Sequence, residues 1–319
     1  MSKQVQHRAD VIVVGGGCAG CMAAIAAAES GARVIVVEQA RAIRSGDAGA
    51  GNDHLAAYLE EGPEWDTKEA FLHWYHTLSQ ALVPREVIEK SVVDRVLEVV
   101  QRLERYGLQL RDKDGKYLRT SAFNQKGSYW INFDGYDLKP KLYSAAKVAG
   151  ATFKEKIMVT SLLTREGRVV GCMGFGVRTG HLHVFKGKAV LLSTGPAMRV
   201  WKNRTGFRFN TWHGPYNGAA AYALAFDGGA EISNVELATN NAIPKGFETP
   251  GYNGFMGMGG HLINAKGERF VQNYHSRGEK GPKWITCYAI WNENREGRGP
   301  CYWDVRHLSD EALHHLCNN

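Results

Sequence analysis

An α/β fold built around a parallel sheet is predicted by three features that follow one another within the first forty residues. A short β-branched run, Ala9-Asp10-Val11-Ile12-Val13-Val14, ends at Gly15-Gly16-Gly17-Cys18-Ala19-Gly20. An Ala-rich segment then leads to Ser30-Gly31, and a second β-branched run from Arg33 to Val37 ends on the acidic Glu38. Strand, glycine turn, helix and strand in this order form the βαβ unit of a Rossmann-like, dinucleotide-binding domain. Gly15 permits the tight turn, Gly17 lets the backbone approach a pyrophosphate, and Gly20 lets helix and strand pack closely. The helix N-terminus turns the positive end of its dipole toward the phosphates, and Gly31 can end the helix. Glu38, followed by Gln39, stands where ribose hydroxyls would donate to a carboxylate.

The next segment, Arg44-Ser45-Gly46-Asp47-Ala48-Gly49-Ala50-Gly51-Asn52-Asp53-His54, is rich in small residues. Such a backbone can lie against a flat ring system that bulky side chains would keep away. With the glycine turn at the N-terminus, this loop selects FAD over NAD. The candidate cofactor contacts here are Gly15, Gly17, Cys18, Ala19, Gly20, Glu38, Gln39, Arg44, Ser45, Gly46, Asp47, Gly49, Ala50, Gly51 and Asn52. Cys18 and Cys21 form a Cys-x-x-Cys pair, but it lies inside the phosphate turn and no second pair completes a zinc or iron-sulfur site. It is read as helix packing, and no metal is assigned.

From Thr67 to Tyr106 the periodicity is helical, with Val92, Val96, Val99, Val100 and Leu103 on one face. Asp112-Lys113-Asp114-Gly115-Lys116 reads as a turn, the aromatic run Tyr129 to Phe133 as packing or a cleft wall, and Leu142 to Val148 as helix. A β-meander is predicted to begin at Thr152 and to continue through Arg168-Gly171 and Val184-Gly187. The apolar run Ala189 to Leu192 then ends in Ser193-Thr194-Gly195, again small residues beside a nucleotide. Val159, Ser193, Thr194, Gly195 and Asn217 complete the candidate cofactor contacts.

With these elements in order, the chain resembles the fumarate reductase and succinate dehydrogenase flavoprotein superfamily, and within it the branch of the adenylylsulfate reductase alpha chain. The resemblance rests on Gly15 to Gly20, Glu38, Arg44-Ser45-Gly46, Ser193-Thr194-Gly195, Asn217-Gly218, Gly259-Gly260, Gly267-Glu268-Arg269-Phe270 and Arg295 to Pro300. It implies a GR2-type flavoprotein. The FAD-binding domain would take residues 1–236, with a helical insertion at about 62–110 and the β-meander, and a partial α+β capping domain would take 237–319. In membrane-bound relatives a histidine after the Arg-Ser pair carries the flavin covalently. Gly46 occupies that position here, so noncovalent FAD is expected. Glu236 stands where fumarate reductases have a substrate-binding histidine and adenylylsulfate reductases a glutamate.

Departures from the family pattern bear on the chemistry. The family's catalytic arginine maps onto Lys283, its relay glutamate onto Met258, and the active-site asparagine of the adenylylsulfate branch onto Ala56. Lysine lacks the planar fork that binds a carboxylate bidentately, which weakens a dicarboxylate assignment. The family's second glycine-rich flavin segment is expected beyond this sequence or on a second chain completing the FAD domain. Candidate catalytic residues are Glu236, Lys283, His261 and His54, with Trp212 and Asn240 as pocket lining. Burial of Glu236 behind an apolar strand would raise its pKa toward that of a general acid or base.

The expected function is an FAD-dependent oxidoreductase subunit exchanging electrons between a small anionic substrate and an iron-sulfur, ferredoxin-like partner. The alternatives are a dicarboxylate oxidoreductase of the fumarate reductase type and a noncatalytic FAD electron-transfer subunit of a larger complex. The formal charge of +7 comes from scattered Lys and Arg with no basic run, which argues against nucleic acid and fits anionic small molecules. No apolar stretch approaches the roughly 18 to 20 residues that span a bilayer. The cysteines do not follow a secreted disulfide pattern, and a cytoplasmic location is expected.

Overall fold

The computed structural model describes residues 3–121, 126–198, 216–237, 242, 245, 259–310 and 313. Two compact units emerge. Of the described residues, 3–120, 128–198 and 216–234 belong to the first, and 121, 126–127, 235–237, 242, 245, 259–310 and 313 to the second.

The first unit opens with an edge strand, β1 (Gln4–Arg8), that the sequence pattern did not reveal. The βαβ unit follows as expected: β2 (Val11–Val14), α1 (Cys18–Glu29) and β3 (Val34–Glu38), with Val11 to Val14 in parallel register with Val34 to Val37. Two short 3-10 turns, Ala42–Arg44 and Asp47–Gly49, carry the loop to β4 (His54–Ala56).

The expected helical insertion is interrupted. It consists of α2 (Lys68–Leu78), α3 (Arg85–Ile88), one π turn (Glu89–Val93) and α4 (Val96–Arg105). Thr67 caps α2 by accepting the Ala70 N–H at 3.2 Å. Left-handed Gln80 and Ala81, followed by Pro84, separate α2 from α3. The wider π turn shifts the apolar stripe by one position, so Val93 rather than Val92 joins Val96, Val100 and Leu103 in the core. Around the insertion, β5 (Leu118–Thr120) and β6 (Trp130–Asn132) complete a small antiparallel sheet of order β4-β6-β5.

Helix α5 (Leu138–Val148) starts four residues before the position read from the sequence. Pro140 falls in its first turn, where a missing N–H costs no intrahelical bond. A second correction concerns Thr152. Strand β7 (Thr152–Glu155) pairs in parallel with β3 rather than opening the meander, and left-handed Lys156 (φ 58°) turns the chain out of that sheet. The meander itself is β8 (Ile157–Arg165), β9 (Arg168–Gly176) and β10 (Leu182–Lys186), with β1 parallel to β10 at its edge. Strand β11 (Ala189–Leu192) returns beside β2, giving the parallel order β11-β2-β3-β7, and α6 (Ala220–Asp227) follows.

Strand periodicity explains the layering. Ile12, Val14, Ile35 and Val37 point to one face, where they pack with Ile157, Val159, Cys172 and Phe185 of the meander and with Leu224. Val13 and Val36 are buried on the opposite face, which α1 covers with its buried Cys21, Ala24 and Ile25, and α5, with buried Leu142 and Ala146, packs against α1. The central strands β2 and β3 are therefore apolar on both sides, as buried parallel strands require, while the edge strands β7 and β11 are partly exposed.

In the second unit β12 (His261–Ile263) pairs antiparallel with β13 (Tyr302–Asp304), and α7 (Lys283–Arg295) lies between them in sequence. Its core holds Leu262, Phe270, Val271 and Ala289. Buried Glu293 on α7 accepts from Arg298 Nε and Nη2, each at 2.8 Å, from Asn264 Nδ2 at 3.1 Å and from the Tyr274 hydroxyl at 3.0 Å. Arg298 above all pulls its carboxyl down to about 2, so the pair stays ionised. No helix among the described residues is long and apolar enough to cross a membrane.

Candidate functional site

The candidate cofactor residues of the first unit converge at the carboxyl ends of β2, β3 and β11, where open parallel sheets bind nucleotides. Gly15 is left-handed (φ 100°), its N–H donates to Val37 O at 2.8 Å, and an added Cβ would meet Ser193 C at 2.7 Å. A Cβ on Gly20 would collide with the Gly15 carbonyl oxygen and lie 2.8 Å from Ser193 Oγ. Ser193 in turn donates to the Val14 and Gly15 carbonyls at 3.0 and 2.9 Å. Turn, helix start and β11 end are thus locked together by residues without room for larger side chains.

Helix α1 begins at Cys18 after Gly17 at the N-cap, with no side-chain cap and no acidic residue in its first turn. Its positive end is left open to an anion. A Cβ on Gly17 would meet only Gly46 Cα, at 3.8 Å, so the space before the helix is open. Gly46 itself is left-handed, and a Cβ there would lie 3.0 Å from Gly17 Cα. The loop after β3 therefore faces the glycine turn across a narrow gap. Asn217 Nδ2 donates to Asp47 Oδ1 at 2.6 Å, and Gly195 packs against the same Asn217 side chain.

Glu38 is 6 % exposed and accepts the Gly16 N–H at 2.7 Å on Oε2 and the Ala40 N–H at 2.8 Å on Oε1. A carboxylate has about four lone-pair sites, so two remain for ribose hydroxyls. Among the described residues, the buried Oγ1 of Thr194 has no hydrogen-bond partner. An unpaired hydroxyl directly after Ser193, which bonds to the glycine turn, fits a polar dinucleotide. Gln39 and Asn52 are half-buried at the same end, and Arg44 donates to Tyr136 O at 2.6 Å and Gly49 O at 3.3 Å, shaping the loop. Val159 lies in the core on β8.

Cys18 and Cys21 are both free thiols. Burial raises both pKa values, against the opposing charge of Lys139, so both remain protonated near neutral pH.

The catalytic candidates are divided between the two units. Glu236 is exposed on a turn at 235–236, not buried behind a strand, which corrects the reading from the sequence. Residues 230–237 form no strand because Gly228-Gly229 ends α6 and Asn234 adopts a left-handed backbone (φ 58°). His54 belongs to the first unit, where its Nδ1 lies 2.6 Å from Asp53 Oδ1 and its ring stacks on Trp130 at 4.1 Å. In the second unit His261 stacks on His307 at 4.1 Å, and burial first, then Arg269 and His307, lower its pKa and keep the ring neutral. Lys283 opens α7, half-buried, with Cys287 one turn on. Burial lowers the Lys283 pKa and raises that of Cys287. Trp212, Asn240 and Met258 lie outside the described residues, and Ala56 is on β4.

Two residues at the cofactor end were missed: Lys139 and Glu155. Counting back from Leu142 by one helical step would have placed Lys139 on the buried face of α5.

The FAD binding domain family matches residues 10–318. The chain belongs to this family. Its cofactor is accordingly FAD, and the motif resemblance holds, since its relatives are flavoproteins of the same superfamily. The chain is 27 % identical over 324 residues to a fumarate reductase (CoM/CoB) polypeptide of Methanothermobacter marburgensis, covering 96 % of this chain and 57 % of that protein. It is 28 % identical over 346 residues to the alpha chain of adenylylsulfate reductase from Megalodesulfovibrio gigas, covering 95 % and 50 %. Among solved structures, adenylylsulfate reductase from Archaeoglobus fulgidus aligns with a TM-score of 0.82 at 26 % identity, over 100 % of this chain and 52 % of that one. The chain spans about half the length of the curated relatives it matches.

Proposed function

We propose that this chain is the FAD-carrying part of an oxidoreductase that exchanges an electron pair between a small anionic substrate and an iron-sulfur partner. The observation that carries the reading is the glycine cradle of Gly15, Gly17 and Gly20, which faces the Gly46 loop and leads into an uncapped helix. Bound there, FAD supplies the hydride or electron-pair chemistry. The protein's residues hold it in place: the first amides of α1 for the phosphates, Glu38 for the ribose, and the loop from Ser45 to Asn52 for the ring system. Gly46 leaves no side chain for covalent attachment, so the FAD is held noncovalently.

Lys283 serves the substrate. A half-buried ammonium at the start of a helix adds its charge to the positive helix end, which favours an anion. His261, neutral, would accept rather than donate a proton at neutral pH. Glu236, exposed on its turn, is retained as a candidate for substrate contact only through its correspondence to the family pattern, and His54, in the other unit, only through its place at the end of the small-residue loop. A cytoplasmic location completes the reading, in keeping with cysteines that follow no secreted disulfide pattern.

The 27 % identity to a protein named as a fumarate reductase favours a second reading, dicarboxylate reduction. One experiment separates them. The natively purified protein should carry flavin absorbance that acid precipitation releases wholly into the supernatant, as noncovalent binding requires. After anaerobic reduction it is mixed with fumarate or with adenylylsulfate. Rapid reoxidation by adenylylsulfate but not fumarate supports the first reading, and by fumarate the second. If neither anion reoxidises the flavin while an iron-sulfur protein does, the chain is an electron carrier without a substrate of its own.

A further inference from the structure

The Lys139 side chain is 0 % exposed. Its ammonium donates to the Ala42 carbonyl and, at 3.4 Å, to Cys21 Sγ, and it lies 5.9 Å from the Tyr143 ring. Among the described residues no carboxylate forms an ion pair with it. Burying an ammonium on a neutral carbonyl and a thiol is costly, so its retention calls for a return elsewhere. The return is visible at Ala42. On the other side of that fully buried residue, Glu155 Oε1 accepts the Ala42 N–H at 2.8 Å. Glu155 ends β7 directly beside Glu38, which ends β3 and accepts the Ala40 N–H. The chain leaving β3 is thus gripped at Ala40 by Glu38, at the Ala42 N–H by Glu155 and at the Ala42 carbonyl by Lys139.

What this grip fixes is the loop that faces the cofactor. Ala42 begins the 3-10 turn through Arg44, Ser45 Oγ also donates to the Ala42 carbonyl at 3.5 Å, and Gly46 follows within van der Waals reach of Gly17. Ala42 has no side chain of its own able to set this position. We propose that Lys139 and Glu155 are positioning residues for FAD, clamping the Ala42 peptide so that the Ser45-Gly46 backbone is held at the correct distance from the phosphate turn. The inference rests on the FAD reading of this site. Neither residue touches the cofactor; both act through Ala42.

The test measures FAD affinity by fluorescence quenching and, separately, melting of the FAD-free protein. Lys139→Met and Glu155→Leu each remove one side of the clamp while preserving approximate volume. Each is expected to weaken FAD binding about tenfold, the loss typical of a charge-assisted hydrogen bond. Lys139→Gln and Glu155→Gln keep a donor and an acceptor and are expected to stay within about threefold of wild type on the same scale. The FAD-free melting temperature should fall by only a few degrees, as the loss of one buried hydrogen bond requires, since Lys139 and Ala42 are both buried. If Lys139→Met does not fold, Glu155→Leu carries the test alone. Folded variants that bind FAD as the wild type does, or that lose stability without losing affinity, overturn the clamp while leaving the FAD site intact. A wild-type chain that binds no FAD overturns both.

Discussion

Gly20→Ala is expected to strip the protein of FAD. The added methyl would collide with the Gly15 carbonyl oxygen and lie 2.8 Å from Ser193 Oγ, so α1 must move away from the end of β2. Both obstacles are held: Gly15 is tied to β3 through Val37 O, and Ser193 is tied to the turn through two carbonyls. Overpacking of this kind costs about 3 kcal/mol at the upper end of its usual range, equivalent to roughly a hundredfold in affinity if borne by the cofactor site. The measurement is the ratio of flavin to protein absorbance in the purified variant, with the melting temperature alongside. A variant that retains a full complement of flavin would show that the helix start does not need this close approach.

Lys283 carries the second large effect. Lys283→Met is expected to slow reoxidation of the reduced flavin by an anionic acceptor about a hundredfold, the scale on which removing one preorganised charge-stabilising donor acts. The pH dependence gives the sharper signature. Burial lowers the Lys283 pKa, so the ammonium loses its proton at a lower pH than an exposed lysine would. The anion-binding form is the protonated one, present below that lowered pKa. The rate should therefore fall as pH rises through it. Lys283→Arg keeps the charge but does not titrate in this range, so it should abolish the alkaline decline even if the absolute rate drops. A wild-type rate flat across the alkaline range would remove Lys283 from the substrate site.

The legible part of the site was the part made locally. From Ala9 to Glu38 every landmark lies within reach of its neighbours: β-branched strands, a glycine turn whose backbone angles only glycine tolerates, and an Ala-rich helix. Such features depend on sterics over a few residues, and they appeared in the structure at the positions read from the sequence. Ala189 to Leu192 was equally readable as a strand from its apolar run, although β11 lies at the sheet edge with Leu191 exposed rather than buried as a central parallel strand would be. Glu236 failed for the opposite reason. Its surroundings look strand-like in composition, but Gly228-Gly229 and left-handed Asn234 deny them a partner strand, and exposure follows.

By itself, then, the sequence determined the βαβ unit, the cofactor class and the family, since these are written in short-range turn chemistry and in motif order. Only the tertiary structure decided that Thr152–Glu155 joins the parallel sheet while Ile157–Arg165 leaves it, and that β1 pairs with the distant strand β10. Only the tertiary structure buried Lys139 against Ala42 and set Glu155 beside Glu38. Pairing partners and burial depend on which distant surfaces meet, and the free energy of that meeting is spread over the whole core rather than encoded in any one stretch of chain.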